Sequence, residues 1–248
     1  MERYPLADGG AVYHFDTGPF NWYVIEQAGR LTLVDAGFPG HFGTFKRGIA
    51  SLGRTVKDVV AILLTHAHAD HMGFADRLRR ECGAPVFVHR DDKAASQRSR
   101  VLPWYGLLSN AWRPYMRSML IHATVNGVFW QPAIGKVETF GDGKRLDVPG
   151  RPLALHVPGH TPGETAFFLQ ESRILLSGDA LITRHLLNGR HGPPQVAPPI
   201  LTNDTTLAHR SLDRLRELGE ATLLPGHGKS WAGSLPAAIE RARATRAR

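Results

Sequence analysis

The sequence contains a single cysteine, Cys82, among 248 residues, so it cannot form a disulfide within the chain. Nothing in its cysteine content therefore indicates an oxidising compartment. Long hydrophobic runs are also missing, because glycine, proline or charged residues interrupt every apolar stretch, and we expect no transmembrane helix. The opening residues, MERYPLADGG, lack the basic and apolar segments of a signal peptide. We therefore expect a cytoplasmic protein that has no membrane partner.

Acidic residues are fewer than basic ones, with 22 Asp and Glu against 30 Lys and Arg, which gives a formal net charge of +8. Such an excess is compatible with nucleic-acid binding. However, it consists mostly of arginines spread over predicted helices and of the tail RARATRAR, and no basic–aromatic motif accompanies them. A solvated, arginine-rich surface explains the charge, so we expect a small-molecule substrate rather than nucleic acid.

Predicted strands and helices follow one another irregularly along the chain. The segment NWYVIEQAGRLTLVDAGF is typical of a β-hairpin that turns at Ala28-Gly29. A helix is predicted after this hairpin and another after Asn203-Asp204, which can cap a helix. Because regular strand–helix alternation is absent, two β-layers with helices outside fit better than a doubly wound sheet. We expect one α+β domain that spans residues 1–248.

Residues 101–130 interrupt this pattern. Three of the five tryptophans fall here, at positions 104, 112 and 130. Five large side chains lie roughly one helical face apart: Trp104, Leu108, Trp112, Tyr115 and Met119. The segment is either an amphipathic helix packed on the core or an apolar surface beside the active site, which would serve as a lid or as a homodimer interface. The sequence leaves these alternatives open.

The strongest chemical signal is the stretch LLTHAHADHMG, which follows a predicted buried strand. Crowded imidazoles are costly unless each finds a partner. His66 and His68 are two residues apart in extended backbone and point to the same side, whereas Asp70 and His71 begin a turn and can aim at a second point. Imidazole nitrogens and carboxylate oxygens are good zinc ligands. This one loop can therefore address two metal ions.

Three further loops have the form needed to complete two coordination shells. Each contains small residues and one metal-competent side chain after a predicted strand: His160 in HVPGHTPGE, Asp179 in LLSGDAL and His227 in LLPGHGKS. Any one of them alone is more often an ordinary hydrogen-bonded residue than a ligand. Together with the histidine cluster they indicate a dinuclear site.

The motif order His-x-His-x-Asp-His, then His, Asp and His, resembles that of the metallo-β-lactamase superfamily. The resemblance runs from about residue 10 to 240 and leaves residues 101–130 as a variable insertion; Asp35 in LVDAG also matches an early aspartate motif of the family. It implies a four-layer αββα sandwich with the site at one edge, between the β-sheets. It also implies a set of ligands: His66, His68 and His160 for the first metal, Asp70, His71 and His227 for the second, and Asp179 as the bridge. Asp35 would order the ligand loop from outside the site.

The function that this resemblance implies is hydrolysis by two zinc ions, with iron or manganese able to take their place. A metal-bridging hydroxide would attack an ester or lactone carbonyl. Asp70 would have a second, catalytic role, steering the hydroxide or passing a proton to the leaving group. Cys82 is interpreted as a packing residue rather than a nucleophile.

Several branches of the family remain open at this stage. Asp179 argues against the classical β-lactamases, which commonly have cysteine or serine there, and the short segment after His227 argues against the glyoxalase II thioester hydrolases. Acyl-homoserine lactone hydrolases keep the aspartate, but many carry a tyrosine that this chain lacks after Tyr115; His185 is the candidate to replace its hydrogen bond. Phosphodiesterases or nucleases, and the mono-iron persulfide dioxygenases, are further alternatives.

Overall fold

The computed structural model describes residues 1–98 and 109–245. Among these, seven strands form the first sheet in chain order: β1 (Glu2–Pro5), β2 (Ala11–Asp16), β3 (Asn21–Gln27), β4 (Arg30–Val34), β5 (Val59–Leu63), β6 (Val86–His89) and β7 (Glu138–Phe140). Strands β1 to β4 are antiparallel neighbours, whereas β4 to β7 run parallel. The carboxyl ends of β4, β5 and β6 therefore meet at one edge of the sheet.

A tight turn joins β3 to β4, as the sequence predicted. Ala28 and Gly29 both adopt left-handed backbone conformations, with φ of 50° and 78°. Positive φ at both central residues is the requirement of the two-residue turns whose twist matches that of a hairpin. The predicted hairpin is confirmed, with Tyr23 paired to Val34.

The second sheet has the strand order β14-β13-β10-β9-β8. Its strands are β8 (Leu153–His156), β9 (Thr165–Leu169), β10 (Ile174–Gly178), β13 (Glu220–Pro225) and β14 (Trp231–Ser234), and a separate ribbon pairs β11 (Ile182–Arg184) with β12 (His191–Gln195). Only β10 and β13 are parallel neighbours in this sheet. Their carboxyl ends meet, so the loops that follow them lie side by side.

Helices cover the outer faces of both sheets. They are α1 (Phe42–Ser51), α2 (Ala69–Met72), α3 (Ala75–Cys82), α4 (Lys93–Ser96), α5 (Pro114–Val125), α6 (Thr205–Ser211), α7 (Asp213–Arg216) and α8 (Leu235–Thr245). Phe45 of α1 and Leu78 of α3 share a buried cluster with the first sheet. Leu215 of α7 and Ile239 of α8 share another with the second sheet. The predicted cap is also confirmed, since the Asp204 side chain accepts a hydrogen bond from the backbone N–H of Leu207.

The two sheets pack face to face through a third buried cluster. The first sheet contributes Ile25 and Leu63, among others, to this cluster, and the second sheet contributes Phe167 and Leu176. Alternate residues of each strand face it, as expected for a sandwich. The layers follow the order helix, sheet, sheet, helix, so the predicted four-layer αββα architecture is confirmed.

The segment 101–130 departs from the predicted helical face. Trp104 and Leu108 lie outside the described residues. Pro114 begins α5, so Trp112 precedes the helix and is 71% exposed. The buried stripe of α5 consists of Met116, Met119 and Ala123 instead. The predicted face was wrong at Trp112 because proline at the first helical position, where its missing N–H costs nothing, starts a new helix there.

No helix in the described part of the chain is long and apolar enough to cross a bilayer.

Candidate metal centre

The seven predicted ligands lie on four loops at one edge of the sandwich. The loop after β5 carries His66 and His68 and leads into α2 with Asp70 and His71, while the loops after β8, β10 and β13 carry His160, Asp179 and His227. The strand ends meet at this edge because β4 to β6, and separately β10 and β13, run parallel. Residues more than 150 positions apart in the sequence thereby come into contact.

The first group consists of three imidazoles. Nδ1 of His68 lies 3.0 Å from Nε2 of His66 and 3.0 Å from Nε2 of His160. The ring planes stand nearly perpendicular to one another, at 83° and 88°. Three nitrogens therefore converge on one point, which is the arrangement that a small cation with nitrogen ligands requires.

The second group mixes carboxylate and imidazole. Oδ2 of Asp70 lies 3.6 Å from Nε2 of His71 and 3.4 Å from Nε2 of His227. Both imidazoles are buried, and Asp70 is half-buried. Imidazole nitrogens and a carboxylate oxygen converge in this group, and both donor types bind metal ions. The second group is therefore also suited to a metal.

Asp179 lies between the two groups. Its Oδ2 is 3.4 Å from Nε2 of His160 and 3.1 Å from Nε2 of His227, and its Oδ1 is 3.6 Å from Nε2 of His71. One carboxylate thus reaches the first group through His160 and the second through His227 and His71. Asp179 is therefore close to ligand-type atoms of both groups.

The outward nitrogens of the second group have fixed partners. Nδ1 of His71 lies 2.8 Å from Oδ2 of Asp35, and Nδ1 of His227 donates to the carbonyl of Pro19 at 2.8 Å. Asp35 also accepts hydrogen bonds from the backbone N–H and the hydroxyl of Thr65, both at 2.9 Å. Its left-handed backbone, with φ of 61°, turns the chain sharply at the end of β4. Asp35 therefore holds His71 and the start of the ligand loop in register, as the sequence suggested.

These contacts test whether the residues fit metal ions. Because the outward nitrogens of His71 and His227 donate, the inward Nε2 atoms of the neutral rings carry lone pairs that face the carboxylates of Asp70 and Asp179, so that each Nε2 must hold either a proton or a metal ion. Nε2 of His71 and Oδ1 of Asp179 are buried without a hydrogen-bond partner. Buried lone pairs that face one another are costly unless a cation lies between them. The donor set therefore fits two metal ions.

The electrostatics of the metal-free chain reflect the same crowding. Burial opposes a charge on His71, but the carboxylates of Asp35, Asp70 and Asp179 outweigh it and raise the pKa of His71 to about 9. Burial, together with the neighbouring His68, lowers the pKa of His160 to about 3. One group of imidazoles is thus held neutral, and the other attracts positive charge. A metal cation can therefore replace the proton on His71 and can bind the free lone pair of the neutral His160.

Two buried carboxyl groups that support this site were missed in the sequence. Oε1 of Glu164 accepts a hydrogen bond from the backbone N–H of Asp179 at 2.9 Å, and its Oε2 lies 3.3 Å from Nδ1 of His66. Burial, with Asp179 nearby, raises the pKa of Glu164 well above its usual range. Glu164 closes the motif HVPGHTPGE, but a single glutamate before a strand has no distinguishing spacing.

Asp92 is the second of these residues. Its carboxylate accepts hydrogen bonds from the N–H of Ala67 at 2.9 Å, the hydroxyl of Thr161 at 2.8 Å and the N–H of Gly163 at 2.8 Å. It therefore ties the loop of His66 and His68 to the loop of His160. In the sequence it lies within the charged run HRDDK, which is typical of an exposed turn.

The groups open into a cavity of about 360 Å³. Five of the predicted ligands lie at its base: His68, Asp70, His160, Asp179 and His227. Its walls are mostly apolar, with Thr202 and Asn203 as their polar members; the apolar ones are Phe20, Phe38, Ala69, Met119, Leu120, Ala123, Leu186, Ile200 and Leu201. The helix α5 thus forms one wall, and no lysine or arginine among the described residues lines the cavity.

The remaining candidate, His185, is not part of this lining; its Nδ1 accepts a hydrogen bond from the N–H of Leu187. Its catalytic role stays a prediction.

Fold and site together define a class of protein, an αββα sandwich whose edge carries clustered histidines and aspartates suited to a dinuclear metal site. The model of the metallo-β-lactamase superfamily matches residues 16–227, and the chain belongs to this superfamily. The Bacillus subtilis (strain 168) protein named probable metallo-hydrolase YqgX is 30% identical over 209 residues, covering 84% of this chain and 84% of that protein.

Two solved structures extend the comparison. The metallo-β-lactamase family protein TTHA1429 from Thermus thermophilus is 30% identical, with a TM-score of 0.68 over 95% of this chain and 79% of that one. TTHA1623, solved in a di-iron-bound form, is 26% identical, with a TM-score of 0.59 over 90% of this chain and 94% of that one.

Proposed function

We propose that this protein is a metal-dependent hydrolase of an ester or lactone that carries an apolar group, with zinc as its metal. The observation that carries the proposal is the position of Asp179, shared between two metal-competent groups at the base of an apolar cavity. The similarity to a protein named as a probable metallo-hydrolase supports the reaction class.

The proposed ligands are His66, His68 and His160 for one ion and Asp70, His71 and His227 for the other, with Asp179 common to both. When bound, two such ions lower the pKa of water and polarise a carbonyl oxygen. Because the second group is complete, a single-iron persulfide dioxygenase is the less favoured alternative. The di-iron form of TTHA1623 makes iron the metal to test beside zinc.

Asp70 has a further role in the proposed reaction. Its side chain lines the cavity, and although burial raises its pKa, the imidazoles of His71 and His227 lower it to about 2. Asp70 is therefore ionised at neutral pH, when its carboxylate can accept a hydrogen bond from the attacking water. Because water is the nucleophile, no serine or cysteine is needed, and the proton that the water loses can reach the leaving oxygen by way of the Asp70 carboxylate.

The lining of the cavity selects among substrate classes. β-Lactams and glutathione thioesters carry carboxylates away from the bond that is cleaved, and such groups are commonly paired with lysine or arginine. The described lining contains neither, whereas nine apolar residues line the cavity. This lining favours a neutral acyl ester or lactone; a phosphodiester is the alternative, because bound metal ions would themselves pair with its charge.

The experiment follows proton release from an acyl-homoserine lactone with a pH indicator, using chelated protein before and after zinc is returned. We expect turnover only after zinc is returned, with about two ions bound per chain. Asp179→Asn should reduce both metal content and turnover, whereas Asp147→Asn, which removes the same charge at an exposed position, should change neither.

The outcomes separate two claims. Full activity and two bound ions in Asp179→Asn would refute the shared ligand. No turnover by the zinc-loaded protein would refute the lactone, and thioesters, β-lactams and phosphodiesters would then be assayed with the same preparation. Colour and iron content of the protein as isolated distinguish an iron enzyme from a zinc enzyme.

A further inference from the structure

Exposed apolar side chains are concentrated around α5. The described surface has seven large apolar residues that are exposed, and two of them, Met1 and Ile200, lie elsewhere. The other five lie on α5 or within five positions of its ends, and we call them the exposed apolar face: Trp112 (71% exposed), Ile121 (63%), Val125 (76%), Phe129 (56%) and Trp130 (76%). Single exposed apolar residues are ordinary, but a concentration of them within twenty positions marks an interaction surface.

The helix α5 is apolar on two opposite sides. Met116, Met119 and Ala123 face inward and pack in a buried cluster with Phe20 and Phe38. At 100° per residue, Ile121 and Val125 lie on the opposite side of the helix, one turn apart. A surface helix is normally polar on its outer side. The apolar residues on the outer side of α5 therefore indicate a surface that binds an apolar partner.

The charge around this face has one sign. The sequence contains no aspartate or glutamate between Asp92 and Glu138. Arg117 lies one turn before Ile121 on the exposed side of α5, and the guanidinium of Arg113 lies 4.7 Å from the centre of the Trp112 ring. A second copy of the chain, docked through the same face, would bring these arginines close to its own arginines. An anionic surface would complement them.

In contrast to the absence of a membrane partner expected from the sequence, we propose that the exposed apolar face docks on an anionic lipid bilayer. Tryptophan and phenylalanine partition into the boundary between headgroups and acyl chains, and neighbouring arginines reach lipid phosphates. The net charge of +8 on the whole chain attracts the protein to such a surface over a longer range. The bilayer is bound peripherally, through one helix and the aromatic residues at its two ends.

Docking in this orientation has a consequence that rests on the proposed function. Leu120 lines the cavity, and the next residue, Ile121, belongs to the exposed apolar face. Ile200, on the cavity wall, is 43% exposed. One helix thus separates the cavity from the bilayer, where an ester or lactone with an apolar chain accumulates.

Vesicle sedimentation tests the docking without any substrate. The full chain is mixed with vesicles of phosphatidylcholine alone or with about one third phosphatidylglycerol, in low salt and in about 0.5 M NaCl. We expect about tenfold or more stronger partitioning onto the anionic vesicles, a loss of most of this gain in high salt, and a blue shift of tryptophan emission on binding.

Variants locate the surface. Phe129→Ser combined with Trp130→Ser should weaken partitioning by about tenfold or more, without lowering the midpoint of thermal unfolding, because both side chains are exposed. Arg117→Gln should weaken binding to the anionic vesicles several-fold. Its matched control, Arg3→Gln, removes the same charge from exposed strand β1 and should have a smaller effect.

Three results would overturn the proposal: no binding to either vesicle, equal effects of Arg117→Gln and Arg3→Gln, or a dimer at micromolar concentration that the Phe129/Trp130 double variant dissociates while vesicles bind neither form. The last result would assign the face to a second copy of the chain. Asp179→Asn should keep full vesicle binding, so failure of the proposed hydrolysis and failure of the docking are distinguishable.

Discussion

The carboxylate of Asp35 lies 2.8 Å from Nδ1 of His71 and also accepts the hydroxyl hydrogen of Thr65. One side chain at the end of β4 thus orients an imidazole on α2 and fixes the backbone that leads to His66. A histidine that donates through Nδ1 to a carboxylate presents a more basic Nε2 to a metal. We therefore expect the strength of metal binding at the second group to depend on Asp35, which is not itself one of the proposed ligands.

Asp35→Asn tests this dependence. The amide keeps the size of the side chain but loses the negative charge that His71 faces, so we expect metal affinity to fall by about 10- to 100-fold. A competition titration against a chromophoric chelator measures it. Asp147→Asn, at an exposed position, is the matched control. Equal affinities of the two variants would contradict the role of Asp35.

The backbone beside His227 leaves no room for a side chain. A Cβ added to Gly226 would lie 2.4 Å from Oδ1 of Asp179 and 2.8 Å from Cε1 of His71. Gly226→Ala must therefore displace the shared carboxylate or His71, and we expect lower metal content and a loss of about 100-fold in turnover. Gly192→Ala is the control, since its nearest neighbour would be Nε2 of Gln195 at 4.0 Å. Metal analysis of both purified variants would show no difference if Gly226 has no such constraint.

The wall formed by α5 should set the size of the acyl group. Ala123 is buried and lines the cavity, whereas its neighbour Thr124 is exposed. Ala123→Leu would fill part of the space, and we expect KM for a long-chain lactone to rise by about tenfold, the cost of roughly two methylenes excluded from an apolar site. A short-chain substrate should be affected much less. Thr124→Leu places the same new side chain outside the cavity, and a similar rise in that variant would assign the effect to the helix rather than to the cavity.

A histidine pair joins α5 to the segment after β4 and gives a dependence on pH. Nδ1 of His41 accepts a hydrogen bond from the N–H of Phe38 at 3.0 Å, which leaves Nε2 to donate to Nε2 of His122 at 2.9 Å. Burial, followed by the nearby His122, lowers the pKa of His41 from 6.5 to about 4. The folded chain thus holds His41 neutral.

The sign of the effect follows from this lowered pKa. Between pH 6.5 and about 4 the unfolded chain binds a proton at His41 that the folded chain does not, so the stability contributed by His41 is complete above pH 6.5 and is lost as the pH falls through this window. In His41→Gln the free energy of unfolding, measured by urea titration, should therefore fall less steeply with decreasing pH. Identical slopes in the wild type and the variant would show that His41 is not held neutral.

Local signals were sufficient for much of the fold. The hairpin at Ala28-Gly29 and the helix cap at Asp204 depend on residues within a few positions of each other, and the structure confirms both. The cluster from His66 to His71 could be recognised in the sequence because crowding four ligand-type residues into six positions is energetically unfavourable unless a metal ion binds them.

The helix α5 shows where local signals ended. Spacing predicted Trp112, Tyr115 and Met119 on one face, but the helix begins only at Pro114, and its buried stripe consists of Met116, Met119 and Ala123. Which side of an apolar helix is buried depends on what packs against it. Here Phe20 and Phe38, far away in the sequence, make that choice.

The sequence by itself determined the residue types of the metal centre and the layered architecture, because both are written in short-range patterns of ligands and apolar strands. Only the tertiary structure decided that Glu164 and Asp92 support the two groups, and that α5 separates a cavity from an exposed apolar face. The hydrogen bonds involved join residues that are distant in the sequence: Glu164 and Asp179 are 15 positions apart, and Asp92 and Gly163 are 71 positions apart. A lone carboxylate in a sequence has no pattern, and its role appears only when folding removes water from it and supplies its partners.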